Sequence, residues 1–289
     1  MPRWYNIVNC FCEVSIMKLS VWSSYYVELS PEDALLELKK FGYDHCELSD
    51  EHALKLLERG DATEVGKEFG KFAKEIGMDL LQGHLFLGAK ICKPEDRELL
   101  KRQFDLFNAI GVKNAVLHCD SFTRDKENVT LEYAREENIK ALKDLVSYVE
   151  GTDLVICLEN LRPPRITQSA DDLLYFVNAV GSRNIGICLD TGHLNLTPYR
   201  DQLEFISKAG KYIKALHLAD NDGTGVDQHL MPYARGTVDM VGVIREMKKL
   251  GYEGLYNLEI PGERHAPREV QGYKLEYIKK MFTYIDSIT

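Results

Sequence analysis

The chain has 289 residues, enough for one large domain or two modest ones, and its 45% hydrophobic and 28% charged content is ordinary for a globular protein. Its 9 prolines and 21 glycines are spread along the chain, which excludes collagen-like, low-complexity and disordered classes. A formal net charge of −9 gives no general attraction to nucleic acid, and no apolar run reaches the roughly 18 residues of a membrane-spanning helix.

Residues 1–16 stand apart from the rest of the chain. Asn9 and Glu13 interrupt the apolar stretch around Ile7, Val8 and Phe11, and no small-residue cleavage site follows, so no secretory signal is expected. Met17-Lys18-Leu19-Ser20 reads as the start of the fold, leaving 1–16 as an N-terminal extension of open status and 17–289 as a single domain. Cys10-x-Cys12 could hold a metal, but core packing is the default for such a pair. The cysteines number seven, an odd count, and Cys46, Cys119, Cys157 and Cys188 sit in or beside apolar runs. Free, buried thiols suit a reducing compartment, so a cytoplasmic location is expected.

From residue 17 onward, short β-rich runs alternate with amphipathic segments. The strands are predicted at 19–22, 45–48, 79–84, 115–118, 154–159, 185–190, 213–217 and 255–260. Several are continuous apolar runs, such as Val155-Ile156-Cys157-Leu158, as expected of parallel strands covered on both faces. Ser30-Pro31-Glu32-Asp33 opens a helix with a capping serine, a proline in the first turn and acidic residues near the positive end of the helix dipole. Further helices are predicted to end at Gly111, Gly151, Gly181 and Gly251, each shortly before the next strand. Eight strand–helix repeats over this length predict an α/β fold, a (β/α)8 barrel. A doubly wound sheet would want a glycine-rich turn after its first strand, where this chain has Ser23-Ser24-Tyr25-Tyr26. Gly60 to Lys67 has the wrong spacing for a phosphate loop and is expected to lie partly in a helix.

In such a barrel the chemistry sits at the C-terminal ends of the strands. There the chain places Glu47, His84, His118, Glu159, Asp190, His217 and Glu259, all carboxylates or imidazoles, at intervals of about 35 residues, close to one strand–helix unit. One such residue would be a satisfied core group, but seven converging need a compensating cation, because an unpaired buried carboxylate costs several kcal/mol. His193 comes within one turn of the sixth strand, and Asp227-Gln228-His229 puts two more ligand types on one side of a loop. His45, His52 and His265 are read as surface or loop residues. Three carboxylates and one imidazole at 159, 190, 217 and 259 form a hard, oxygen-rich set that favours Mn²⁺, Mg²⁺, Co²⁺ or Zn²⁺ over soft-metal or iron–sulfur chemistry, and no cysteine is placed to ligate.

These motifs resemble the xylose isomerase-like TIM-barrel superfamily, over residues 17 to about 285. They are Leu158-Glu159-Asn160, Leu189-Asp190-Thr191-Gly192-His193, His217-Leu218-Ala219-Asp220-Asn221-Asp222-Gly223, Asp227-Gln228-His229-Leu230 and Leu258-Glu259-Ile260. Within it the chain is similar to the sugar phosphate isomerase/epimerase group, related to D-tagatose 3-epimerase, hydroxypyruvate isomerase and inosose dehydratase. The resemblance implies that Glu159, Asp190, His217 and Glu259 hold one divalent metal. It also implies that Glu159 and Glu259 transfer protons on opposite faces of a sugar or sugar phosphate through an enediolate, and that His193 and Asn160 bind the substrate. Glu47, at the second strand end, is likewise taken as a substrate contact. A dehydratase on the same metal site is an alternative, and a homo-oligomer is left open.

Endonuclease IV, a zinc enzyme of the same superfamily, offers another reading. His84, His118, Glu159, Asp190, His193, His217, Asp227, His229 and Glu259 match its nine ligand types in order, which would imply three Zn²⁺ ions. Against it, Gln82-Gly83-His84-Leu85-Phe86-Leu87 lacks the tyrosine and asparagine of the endonuclease motif, and Asn160-Leu161-Arg162 replaces its Thr-Ala-Gly. The stretch Pro232–Asp239 departs from relatives by carrying Ala234 where glycine is common; beside it Arg235 is either a phosphate or carboxylate contact or a solvated loop arginine.

Overall fold

The structure is a computed structural model that describes residues 17–122 and 129–289. The expected extension and the Cys10-x-Cys12 pair therefore lie outside the described residues. Eight parallel strands close into a barrel in the order β1-β2-β3-β4-β5-β6-β7-β8, as the repeat count implies. They are β1 (Leu19–Trp22), β2 (His45–Leu48), β3 (Asp79–His84), β4 (Asn114–Leu117), β5 (Val155–Glu159), β6 (Ile185–Asp190), β7 (Ile213–Leu218) and β8 (Tyr256–Leu258). Pairing of Leu19 with Tyr256 and of Val21 with Leu258 closes the ring between first and last strands.

The helices are α1 (Pro31–Lys40), α2 (Asp50–Leu57), α3 (Ala62–Glu75), α4 (Pro94–Ile110), α5 (Leu131–Val149), α6 (Ala170–Val180), α7 (Thr191–Asn195), α8 (Gln202–Ala209), α9 (Met240–Lys249) and α10 (Arg268–Ile288). Local chemistry sets their ends. The Ser30 hydroxyl accepts from the Asp33 amide at 3.1 Å, and Ser169 and Asp172 form a reciprocal capping box on α6. Such a cap contributes about 1 kcal/mol. Gly111 and Gly181 stop α4 and α6 with φ of 104° and 67°, a left-handed conformation that costs glycine little. Gly66 lies within α3, in keeping with the rejected phosphate loop.

Three local differences from the expected pattern matter for the site. β4 runs one residue earlier than predicted, so His118 lies just past its end, and Glu259 likewise lies just past β8. The turn after β6 is the short helix α7, whose N-cap is Asp190: its Oδ1 accepts from the His193 amide at 2.6 Å. His52 is no surface residue. It lies on α2, fully buried, with Nδ1 2.8 Å from the Ser23 hydroxyl and Nε2 3.3 Å from the Leu29 carbonyl. His45, also read as a surface or loop residue, begins β2 and is half-buried, whereas His265 is exposed as expected.

Strand alternation organises the barrel interior, because residues two apart share a face. Gln82 and His84, Val116 and His118, Cys157 and Glu159, Cys188 and Asp190, Ala215 and His217, and Asn257 and Glu259 are such pairs. The small residues Val116, Cys157, Cys188 and Ala215 pack together as a separate buried cluster inside the ring. The larger core lies between strands and helices and includes Phe104, Phe107, Phe176 and Phe282. The free thiols Cys46, Cys119, Cys157 and Cys188 are buried as expected. No helix among the described residues is long and apolar enough to cross a membrane.

The buried histidine gives the fold an acid sensitivity. Burial, and after it the Lys55 ammonium, push His52 down to about 4 from the usual 6.5. The unfolded chain then binds a proton that the folded chain refuses, so stability present above pH 6.5 declines as pH falls toward 4. With one pKa unit worth about 1.4 kcal/mol, the loss is at most a few kcal/mol. Urea titrations across this window should show a shallower acid decline for His52→Gln than for the parent; equal slopes would remove His52 as the cause.

Candidate active site

The strand ends bring together the residues that the spacing singles out. Glu159, Asp190, His217 and Glu259 each offer one ligand atom within 4.8 Å of the others, and all four residues are buried. They arrive from β5, β6, β7 and the end of β8, four consecutive staves of the barrel.

Glu159 is the hub. Its Oε2 faces His118 Nε2 at 2.9 Å and His84 Nε2 at 3.4 Å. Its Oε1 faces His193 Nδ1 at 3.1 Å and His217 Nδ1 at 3.4 Å. His84 and His217 also stack, with ring centroids 5.6 Å apart. Asn160 locks β5 to β6 by donating to the Asp190 carbonyl and accepting from the Asp190 amide, both at 2.8 Å. Its side chain, expected as a substrate contact, is fully buried and bonded at both ends to the Asp190 backbone.

Beside the tetrad lies a second group, His193, Asp227 and His229, whose ligand atoms also lie within 4.8 Å of one another. Asp227 bridges the pair, with Oδ2 2.9 Å from His193 Nε2 and Oδ1 3.4 Å from His229 Nε2. His229 Nδ1 donates to the Glu259 carbonyl at 2.8 Å, and its ring stacks 6.4 Å from Trp22, whose indole donates to the Ile260 carbonyl.

The electrostatics come from burial set against pairing. Burial pushes the Asp190 carboxyl up to about 7, and the neighbouring Glu159 and Glu259 carboxylates push the same way. Burial would also lower His84 and His229, but Glu159 holds the first up to about 9 and Asp227 the second up to about 10. Burial prevails at His118, which is lowered. Burial is outweighed at Glu159, held well below the carboxylate range by His217 and His118.

This donor set fits a divalent cation. Asp190 Oδ2, His217 Nδ1 and Glu259 Oε2 are buried without hydrogen-bond partners, although Nδ1 stands only 3.3 Å from Glu259 Oε2 and 3.4 Å from Glu159 Oε1. Buried carboxylates that converge on one point are costly unless protons or a cation offset their charge, and a shared divalent cation relieves that cost. Oxygen-rich ligation suits Mn²⁺, Mg²⁺, Co²⁺ or Zn²⁺.

Residues 35–281 match the profile of the xylose isomerase-like TIM barrel family. This chain belongs to that family. The chain is 23% identical over 270 residues to a D-psicose 3-epimerase of Enterocloster bolteae, covering 86% of this chain and 83% of that one. It is 26% identical over 202 residues to a protein of Mycoplasma pneumoniae named "Probable endonuclease 4", covering 64% of this chain and 67% of that one. The chain matches only 49% and 56% of the length of two uncharacterized relatives, from Methanocaldococcus jannaschii and Sinorhizobium fredii. Among solved structures it superposes on the D-psicose 3-epimerase of Clostridium cellulolyticum H10 with a TM-score of 0.77 and 17% identity, covering 93% and 99% of the two chains. At that identity the likeness is one of fold.

Two sequence expectations are placed differently within this site. Glu47, expected as a substrate contact, is fully buried with Oε2 2.9 Å from His217 Nε2. Arg235 stands apart from the tetrad, 71% exposed, its Nε 3.8 Å from Asp222. Arg162, two residues beyond Asn160, instead reaches the mouth, with Nε 3.9 Å from Asp227 Oδ2. Gln82 is a further site residue that the motifs do not mark, though it lies two residues before His84 on β3; strand alternation is the signal that finds it.

Because the tetrad shares no residue with the Asp227–His229 pair, Asp227→Ala/His229→Ala should keep one tightly held metal per chain after dialysis, read by elemental analysis. Loss of all tight metal in a folded variant would contradict this separation.

Proposed function

We propose that the protein is a divalent-metal-dependent isomerase or epimerase acting on a sugar or sugar phosphate by proton transfer through an enediolate. The observation that carries the reading is the buried Glu159–Asp190–His217–Glu259 tetrad with three unpartnered ligand atoms. The match to a D-psicose 3-epimerase over 86% of the chain adds to it. The family's barrel and the free buried thiols are in keeping with an enzyme of the cytoplasm.

Glu159, Asp190, His217 and Glu259 would hold the metal, which when bound supplies Lewis-acid polarisation of a substrate carbonyl and a counter-charge for the enediolate. Glu259 is the most open of the four, at 7% exposure against 1%, 1% and 0% for Glu159, Asp190 and His217. Its Oε2 makes no hydrogen bond, although His217 Nδ1 stands 3.3 Å away, and as the more open carboxylate it is the better placed of the two glutamates to take the α-proton. Glu159 returns a proton on the other face, its carboxylate oriented by His118 and His193. His193, 8% exposed and engaged with Asp227, is positioned to contact a substrate oxygen. Arg162 and Trp22 line the approach to Asp227 and His229.

A second reading, a multi-zinc phosphodiesterase acting on abasic-site DNA, is favoured by the His193–Asp227–His229 cluster and by the likeness to the Mycoplasma pneumoniae protein. The chain's −9 charge works against it.

A screen of ketoses and ketose phosphates in D₂O should find a substrate that acquires deuterium beside its carbonyl. Loss of one proton-transfer group costs about 10²–10⁴-fold, and Glu259→Gln should lower turnover of that substrate by this factor with the thermal transition retained. Parent-like turnover in Glu259→Gln would remove Glu259 from the mechanism, and nicking of an abasic-site duplex by the parent at physiological salt would favour the second reading.

A further inference from the structure

We infer that Glu47 is a positioning residue that fixes His217 as a metal ligand, rather than a group that meets substrate. The inference rests on the metal-site reading, but not on the identity of the reaction. Glu47 lies on β2, three strands round the ring from β7, and is fully buried against His217. Its Oε2 stands 2.9 Å from His217 Nε2. The same oxygen also accepts a hydrogen bond from the Gln82 amide, whose nitrogen donates as well to the Leu216 carbonyl at 3.3 Å. A carboxylate oxygen can accept from both the Gln82 amide and His217 Nε2–H, and the inferred pairing puts the shared proton on Nε2.

That assignment decides what the other nitrogen can do. With Nε2 protonated toward Glu47, Nδ1 is the nitrogen left to ligate a metal; it is buried without a hydrogen-bond partner and faces Glu159 and Glu259. A carboxylate behind a ligating imidazole fixes its tautomer and rotation and raises its basicity. Gln82 fixes Glu47 in turn and ties it to the backbone residue before His217, so β2, β3 and β7 share one buried network.

The test is Mn²⁺ and Zn²⁺ binding alone, measured by competition with a chelator on the parent and on Glu47→Gln, with no sugar present. Glu47→Gln keeps the shape but loses the charge and should bind each metal about 10–100-fold more weakly at unchanged stoichiometry. Affinity within twofold of the parent overturns the inference and returns Glu47 to other roles. Nitrogen NMR of the Zn²⁺-loaded parent gives a second readout, should the variant not fold. His217, assigned by loss of its signal in His217→Gln, must carry its proton on Nε2; a proton on Nδ1 overturns the inference. A parent that binds neither metal overturns the inference together with the metal-site reading. A parent that binds metal yet converts no sugar overturns only the proposed reaction.

Discussion

The structure depends on how one end of the barrel tolerates Glu47, Glu159, Asp190 and Glu259, four carboxyl groups no more than 7% exposed. Burying an isolated carboxylate costs several kcal/mol even after relaxation, and close carboxylates add mutual repulsion. Five imidazoles, at 84, 118, 193, 217 and 229, surround the acids and offset part of that cost. The compensation is incomplete, since Asp190 is still pushed up to about 7 and three ligand atoms lack partners. A divalent cation is the simplest group that satisfies all of them together.

Barrel closure makes this concentration of charge possible. Each strand delivers one side chain to the mouth and one, two residues earlier, to the layer beneath. On β5, β6 and β7 the lower layer is Cys157, Cys188 and Ala215, small side chains that fill a narrow interior. On β2, β3 and β8 it is polar, with Glu47, Gln82 and Asn257. The polar half of that layer supports His217, so the placement of that imidazole and the packing of the barrel are set by the same register. Asp190 illustrates the economy of the arrangement, since one oxygen caps α7 through the His193 amide while the other points into the tetrad.

Much of this was legible in the sequence because it is periodic. Strand starts, glycine stops and the repeat of about 35 residues are local or regularly spaced signals, and they place the tetrad without tertiary information. Glu47 was legible as a strand-end acid but not as a buried one, because whether a side chain faces substrate or the back of a ligand depends on its partner across the barrel. His52 failed for a similar reason: its burial comes from Ser23 and Leu29, far from it in sequence. The commitment of Asn160 to the Asp190 backbone is a cross-strand contact that no local pattern encodes. Arg235 sits in a loop, where register gives no orientation.

The most direct measurement is the thermal transition of chelator-stripped protein titrated with Mn²⁺, Co²⁺, Mg²⁺ or Zn²⁺. A cation that binds only the folded chain stabilises it by about 2.7 kcal/mol at a hundredfold excess over its Kd. With tight binding, the Tm should rise with the main effect complete at one equivalent of at least one of these ions. A Tm indifferent to all four ions at large excess would contradict the view that the buried carboxylates are held together by a metal.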